Sequence, residues 1–123
     1  MIMASKKTLV IGASENPARY SYLAVNKLKN YGHPVEAIGK RKGSVNGIEI
    51  VTGTPPLKDI DTVTLYVNPV NQQPYYDYIL SLNPKRIIFN PGTENPELEA
   101  LANEKNIRTM EACTLVLLST NQY

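Results

Sequence analysis

Near the start of the chain, Thr8-Leu9-Val10-Ile11-Gly12-Ala13 forms an apolar run that ends in glycine and alanine. A short polar loop follows, Ser14-Glu15-Asn16-Pro17-Ala18-Arg19-Tyr20-Ser21, and then a helical pattern. A buried strand feeding a helix through such a loop gathers backbone N–H groups and a helix N-terminus at one point. That point attracts phosphate. Standing at the head of a 123-residue chain, it directs the reading toward a nucleotide-binding fold.

The rest of the chain continues the alternation. The spacing of Leu23, Ala24, Leu28 and Tyr31 predicts a first helix over 21–31, stopped by Gly32. Residues 34–38 read as a second strand ending at Gly39, and 40–47 as a basic, glycine-containing loop. Ile48–Val51 reads as a short accessory strand, and 54–60 as a turn. The alternation in 62–67 predicts a third main strand, broken by Asn68-Pro69. A helix is expected from Gln73, with Tyr75, Tyr78, Ile79 and Leu82 on one face. Residues 86–89 form a fourth strand before Asn90-Pro91. Asn95 is a good N-cap, and Pro96 a good first residue, for a helix through Lys105. A fifth strand spans 107–111, and the apolar tail 113–123 packs on the core. Alternating strands and helices predict one α/β domain over 1–123. Its expected form is a Rossmann-like three-layer sandwich, about five mainly parallel strands with helices on both faces.

Bulk properties exclude several classes. Hydrophobic content of 42% and charged content of 20% are those of an ordinary globular domain. No apolar stretch approaches the ~20 residues needed to span a bilayer, and the default expectation is a cytoplasmic protein. The single cysteine, Cys113, excludes an internal disulfide framework and a multi-cysteine zinc site. The apolar run after it predicts a buried, inert thiol rather than one that pairs with a ligand thiol. The single histidine, His33, reads as an ordinary surface turn residue. No Ser/His/Asp set can be assembled around it, so a catalytic constellation is not expected. The basic residues lack interleaved aromatics, which argues against nucleic acid.

Charge is uneven. Residues 1–45 carry eight Lys/Arg against two acids, and residues 46–123 carry five against nine. The positive half holds the first loop and the run Lys40-Arg41-Lys42, which favours an anionic ligand there. In open α/β sheets ligands bind beyond the carboxyl ends of the strands. On that rim the sequence places Gly12, Ala13, Ser14, Arg19, Tyr20 and Ser21 after the first strand. Gly39, Lys40 and Arg41 follow the second, Asn68 and Pro69 the third, and Asn90, Pro91 and Gly92 the fourth. The two Asn-Pro pairs are expected to turn their amides toward the crevice. The G-x-G-x-x-G fingerprint is missing, and cations stand where an acid would hold an NAD ribose. A phosphorylated ribose fits those cations, as NADP or coenzyme A, and the residues alone do not separate the two.

Three segments carry a resemblance that does. Gly12–Tyr22, Phe89–Asn95 and Cys113–Leu118 resemble, in this order, the CoA-binding domain family. These are small stand-alone Rossmann-like proteins similar to the CoA-binding domain of succinate–CoA ligase alpha subunits. The resemblance implies coenzyme A or an acyl-CoA as ligand. It implies Gly12, Ala13, Ser14, Arg19 and Ser21 along the pyrophosphate. Among the tyrosines, Tyr20 and Tyr22 are expected to flank the ligand. Lys40 and Arg41 would lie by the 3′-phosphate, and Asn68, Asn90 and Gly92 along the pantetheine channel. Many relatives have Asn-Pro after the second strand, where this chain has Gly39-Lys40. The ligase relatives carry their phosphorylated histidine outside this domain, so a binding module without its own catalysis is expected. A larger acyl-CoA enzyme is a conceivable partner, and self-association is left open.

Overall fold

A computed structural model describes residues 4–123. Its strands are β1 (Thr8–Ile11), β2 (Val35–Ile38), β3 (Gly43–Val45), β4 (Ile48–Val51), β5 (Thr62–Leu65), β6 (Arg86–Phe89) and β7 (Arg108–Glu111). Its helices are α1 (Tyr20–Asn30), α2 (Pro69–Gln72), α3 (Tyr76–Ser81), α4 (Pro96–Glu104) and α5 (Thr114–Ser119), with a 3-10 turn at Gln73–Tyr75.

All seven strands form one sheet in the order β3-β4-β2-β1-β5-β6-β7. Every pairing is parallel except β3 with β4. The sheet thus has seven strands where about five were expected, and the difference lies in residues 40–51. Val45 and Ile48 pair across Asn46 and Gly47, both at positive φ, in a two-residue hairpin. The supposed loop therefore holds β3, and β4 joins β2 in parallel, extending the main sheet. Without β3, the order becomes that of a doubly wound sheet. Successive parallel strands run outward from β1 to one edge and then from β5 to the other.

Two separate apolar clusters show that both faces of the sheet are covered. Leu9, Ile11, Val63, Leu65, Ile87 and Phe89 pack with Ile79 of α3 and Leu98 and Ala102 of α4. Val10, Ala37 and Ile88 point the other way, against Val25 and Leu28 of α1 and Leu117 and Leu118 of α5. This is the period-two alternation of strands buried on both sides. The tail packs on the core as expected.

Helix ends follow local chemistry. Beyond α1, Gly32 at φ +87° donates to Lys29 O and His33 donates to Leu28 O, the Schellman arrangement. Asn106 and Asn121, also at positive φ, close α4 and α5 in the same way. Asn95 caps α4 through Glu97 N and Leu98 N, with Pro96 first in the helix. The helix expected from Gln73 is broken instead. Asn68 accepts from Asn71 N and starts α2 at Pro69, and Pro74 lies in the 3-10 turn before α3.

His33 is not a surface residue, being only 7% exposed. Its Nδ1 accepts the Lys6 N–H at 3.0 Å, and its ring lies 4.9 Å from that of Tyr123. Burial, with Lys6 and then Arg86 nearby, holds its pKa below the ordinary value of 6.5. Cys113 is half-buried at the N-cap position of α5, with no side-chain cap, so it is less enclosed than expected.

Candidate functional site

The strand order creates a crevice. Connections from β1 and β5 leave the sheet toward opposite faces, and the loops at their carboxyl ends part between them. A cleft of about 220 Å³ lies there, lined by Gly12, Gly39, Lys40, Val67, Pro74 and Tyr75 among others. A larger concavity of about 580 Å³ lies on the opposite rim, beside His33 and Tyr123, away from every strand carboxyl end.

The loop after β1 is shaped by its own hydrogen bonds. The N–H groups of Gly12 and Ala13 both donate to Ile38 O, at 2.9 and 3.0 Å. They are spent on the β1–β2 junction rather than free for a ligand. Gly12 is at φ +97°, and a Cβ there would lie 2.9 Å from the carbonyl carbon of Tyr66. Its smallness therefore serves the close approach to the chain after β5. Ala13 is buried, and its side chain joins the core. Ser14 Oγ accepts from Asn16 N, leaving its O–H able to donate, and Asn16 Oδ1 accepts from Ala18 N.

This chain of turns delivers Arg19 to the N-cap of α1 in extended conformation, with no side-chain cap. Tyr22 N and Leu23 N bond to Arg19 O, while the helix offers no acceptor to the N–H groups of Tyr20 and Ser21. The first turn of α1 carries no acid. Arg19 and Tyr20 are exposed and Ser21 is buried. The result is an open, positively polarised helix end beside the crevice.

Gly39 is buried under the same loop, where a Cβ would lie 2.4 Å from Ala13 O. Lys40, Arg41 and Lys42 emerge beyond it, all exposed, with Lys40 lining the cleft. The structure thus brings the first loop and the basic run to adjacent strand ends.

The two Asn-Pro pairs have different fates. Asn68 is exposed at the cap of α2, near the crevice. Asn90 is 2% exposed, and its amide does not face the crevice. Its Nδ2 donates to Thr64 Oγ1 (2.7 Å) and Leu65 O (2.9 Å), and its Oδ1 accepts from Thr114 N (2.9 Å). An amide with this many buried partners stays where they are. Pro91 and Gly92 are exposed, and the Gly92 N–H donates to Glu94 Oε1.

Sequence reasoning missed Val67, Asn71 and Pro74 as cleft residues and gave Tyr75 to a helix face. The signal was present, because Asn68-Pro69 matches the Asn95-Pro96 start of α4. Tyr66, which follows β5, buries its hydroxyl with no hydrogen-bond partner among the described residues. Burial raises the pKa of that phenol, so it stays protonated. Among the described residues no group of three or more His, Cys, Asp or Glu is placed to hold a metal. No helix there is long and apolar enough to cross a membrane.

The arrangement is that of a doubly wound α/β protein with an anion-ready crevice at its switch point. The CoA binding domain profile matches residues 6–119. The chain belongs to that family. A crystal structure of an uncharacterized protein is 50% identical to it, with a TM-score of 0.95, covering 98% of this chain and 100% of its own. A hypothetical protein from Pyrococcus horikoshii OT3 is 22% identical, with a TM-score of 0.85 over 94% of this chain and 83% of its own. A Thermus thermophilus protein is 21% identical, with a TM-score of 0.83 over 97% and 91%. These two show likeness of fold. No curated protein gives a significant match.

Proposed function

We propose that this Rossmann-like domain binds coenzyme A or an acyl-CoA and acts as a binding module without catalysis of its own. The observation that carries the reading is the uncapped, acid-free N-terminus of α1 beside Lys40-Arg41-Lys42, in a chain of the CoA-binding family. The residues fit the ligand. The pyrophosphate would take the N–H groups of Tyr20 and Ser21, the Ser14 hydroxyl and the Arg19 guanidinium. Gly39 keeps the floor low, and Lys40 and Arg41 offer charge to a phosphate on the ribose. The pantetheine arm would cross the cleft beside Val67, Pro74 and Tyr75, an apolar path with few polar partners. Asn68 borders that path, with Pro69, Pro91 and Gly92 on the adjoining rim. Asn90 supports the rim from inside.

Isothermal titration against CoA, dephospho-CoA and NADP tests the reading. CoA is expected to bind. Dephospho-CoA is expected to bind about tenfold more weakly, a difference of about 1.4 kcal/mol. NADP binding without CoA binding would overturn the assignment. Equal affinity for the two CoA forms would remove the role given to Lys40 and Arg41.

A further inference from the structure

The loop after β1 and the basic run after β2 are locked together at three levels. At the base, Ile38 O takes the N–H groups of both Gly12 and Ala13. Above that, Gly39 lies against Ala13 O, so close that a Cβ would reach it at 2.4 Å. At the top, Glu15 Oε2 accepts the N–H of Ser44 at 3.0 Å. A Cβ on Gly43 would come within 2.3–2.6 Å of the Glu15 side chain, so the glycine is what admits the carboxylate.

Lys40, Arg41 and Lys42 are the only residues between Gly39 and Gly43. The cations therefore sit on a three-residue span fixed at both ends, by Ala13 at one and by Glu15 at the other. Glu15 is one of two acids among residues 1–45. A carboxylate beside an anion site repels the ligand, so its presence there calls for a compensating task. The bond to Ser44 identifies one. β3 is an edge strand, and Glu15 takes an N–H that β4 does not use.

We propose that Glu15 is a positioning residue that clamps the start of β3 and so holds Lys40–Lys42 against the crevice. The inference rests on the CoA-binding reading and deepens it. Preorganised cations contribute more to affinity than a free loop carrying the same charge, because less disorder is lost on binding. The clamp acts on the ribose phosphate and leaves the pyrophosphate contacts untouched.

The test is titration of CoA and of dephospho-CoA into the wild type, Glu15→Ala, Glu15→Gln and Gly43→Ala, each checked for folding by urea denaturation. Glu15→Ala is expected to lose about tenfold in CoA affinity and to change less than about twofold toward dephospho-CoA, collapsing the ratio of the two. Gly43→Ala reaches the same contact from β3 and should give the same pattern. Glu15→Gln keeps an acceptor and removes the charge, so it should restore the wild-type ratio. A Glu15→Ala protein with the wild-type ratio overturns the proposal. So does failure of Gln to restore it, or a tightening of both ligands by Ala and Gln alike, as loss of repulsion alone would give. A wild type that binds no CoA overturns the functional reading, and the clamp falls with it.

Discussion

Asn90 holds the N–H of Thr114 at 2.9 Å, and the same side chain donates to Thr64 and Leu65. One amide thereby joins the ends of β5 and β6 to the first residue of α5. Asn90→Ala leaves Thr114 N and Leu65 O without partners in a dry place, at a cost of about 2–3 kcal/mol. The urea midpoint should fall accordingly, while CoA affinity of the folded fraction should change little. Lost affinity at unchanged stability would return the amide to the crevice.

Gly39→Ala forces a methyl group toward Ala13 O, which is backbone and cannot swing away. The expected cost is about 1–3 kcal/mol, the range for overpacking, together with weakened CoA binding. Gly32→Ala is the control. That site is at φ +87° with nothing within 4 Å of a Cβ, so only conformational strain of about 1–2 kcal/mol is expected, with binding intact.

His33 makes stability depend on pH. Its folded pKa lies below 6.5, so between that value and 6.5 the unfolded chain binds more protons. The contribution of neutral His33 is complete above about pH 6.5 and is lost as pH falls through the lower folded value. Lys6 and Arg86 oppose its protonation, and Asp61 favours it only weakly. Urea midpoints at pH 7.5, 6 and 5 should decline more steeply for the wild type than for His33→Asn. Parallel declines would assign the effect to other groups.

Lys40→Ala and Arg41→Ala should each weaken CoA binding more than dephospho-CoA binding. Both side chains are in solvent, so the loss should shrink as salt rises past 0.1 M, where screening acts over about 10 Å. Titrations at two salt concentrations check this.

Much of the fold was legible because strands buried on both faces are mostly apolar, and Leu9–Ile11 and Ile87–Phe89 show it without help from contacts. The misread stretches were those where turn chemistry outweighs hydrophobic pattern. Asn46-Gly47 is a strong hairpin signal, yet the flanking strands are short and the charges before them resemble a loop. Asn68-Pro69 reads from sequence as a strand breaker alone, although it starts α2 by the same chemistry that lets Asn95-Pro96 start α4. At the candidate site, residue types and their strand ends could be read. The direction of a side chain could not, and Asn90 is the example. Its partners Thr64 and Thr114 lie 26 and 24 residues away, and no local pattern announces them.

The parting of loops between β1 and β5 has a further consequence. Because the hollow arises from how the strands are ordered, the exposed cations at its mouth take no part in the packed interior, whereas Val67 and Tyr75 along its wall do. Arg19, Tyr20, Lys40 and Arg41 could be exchanged without disturbing a single packed residue. On the CoA-binding reading, ligand preference can therefore be retuned at these four positions with the same scaffold underneath.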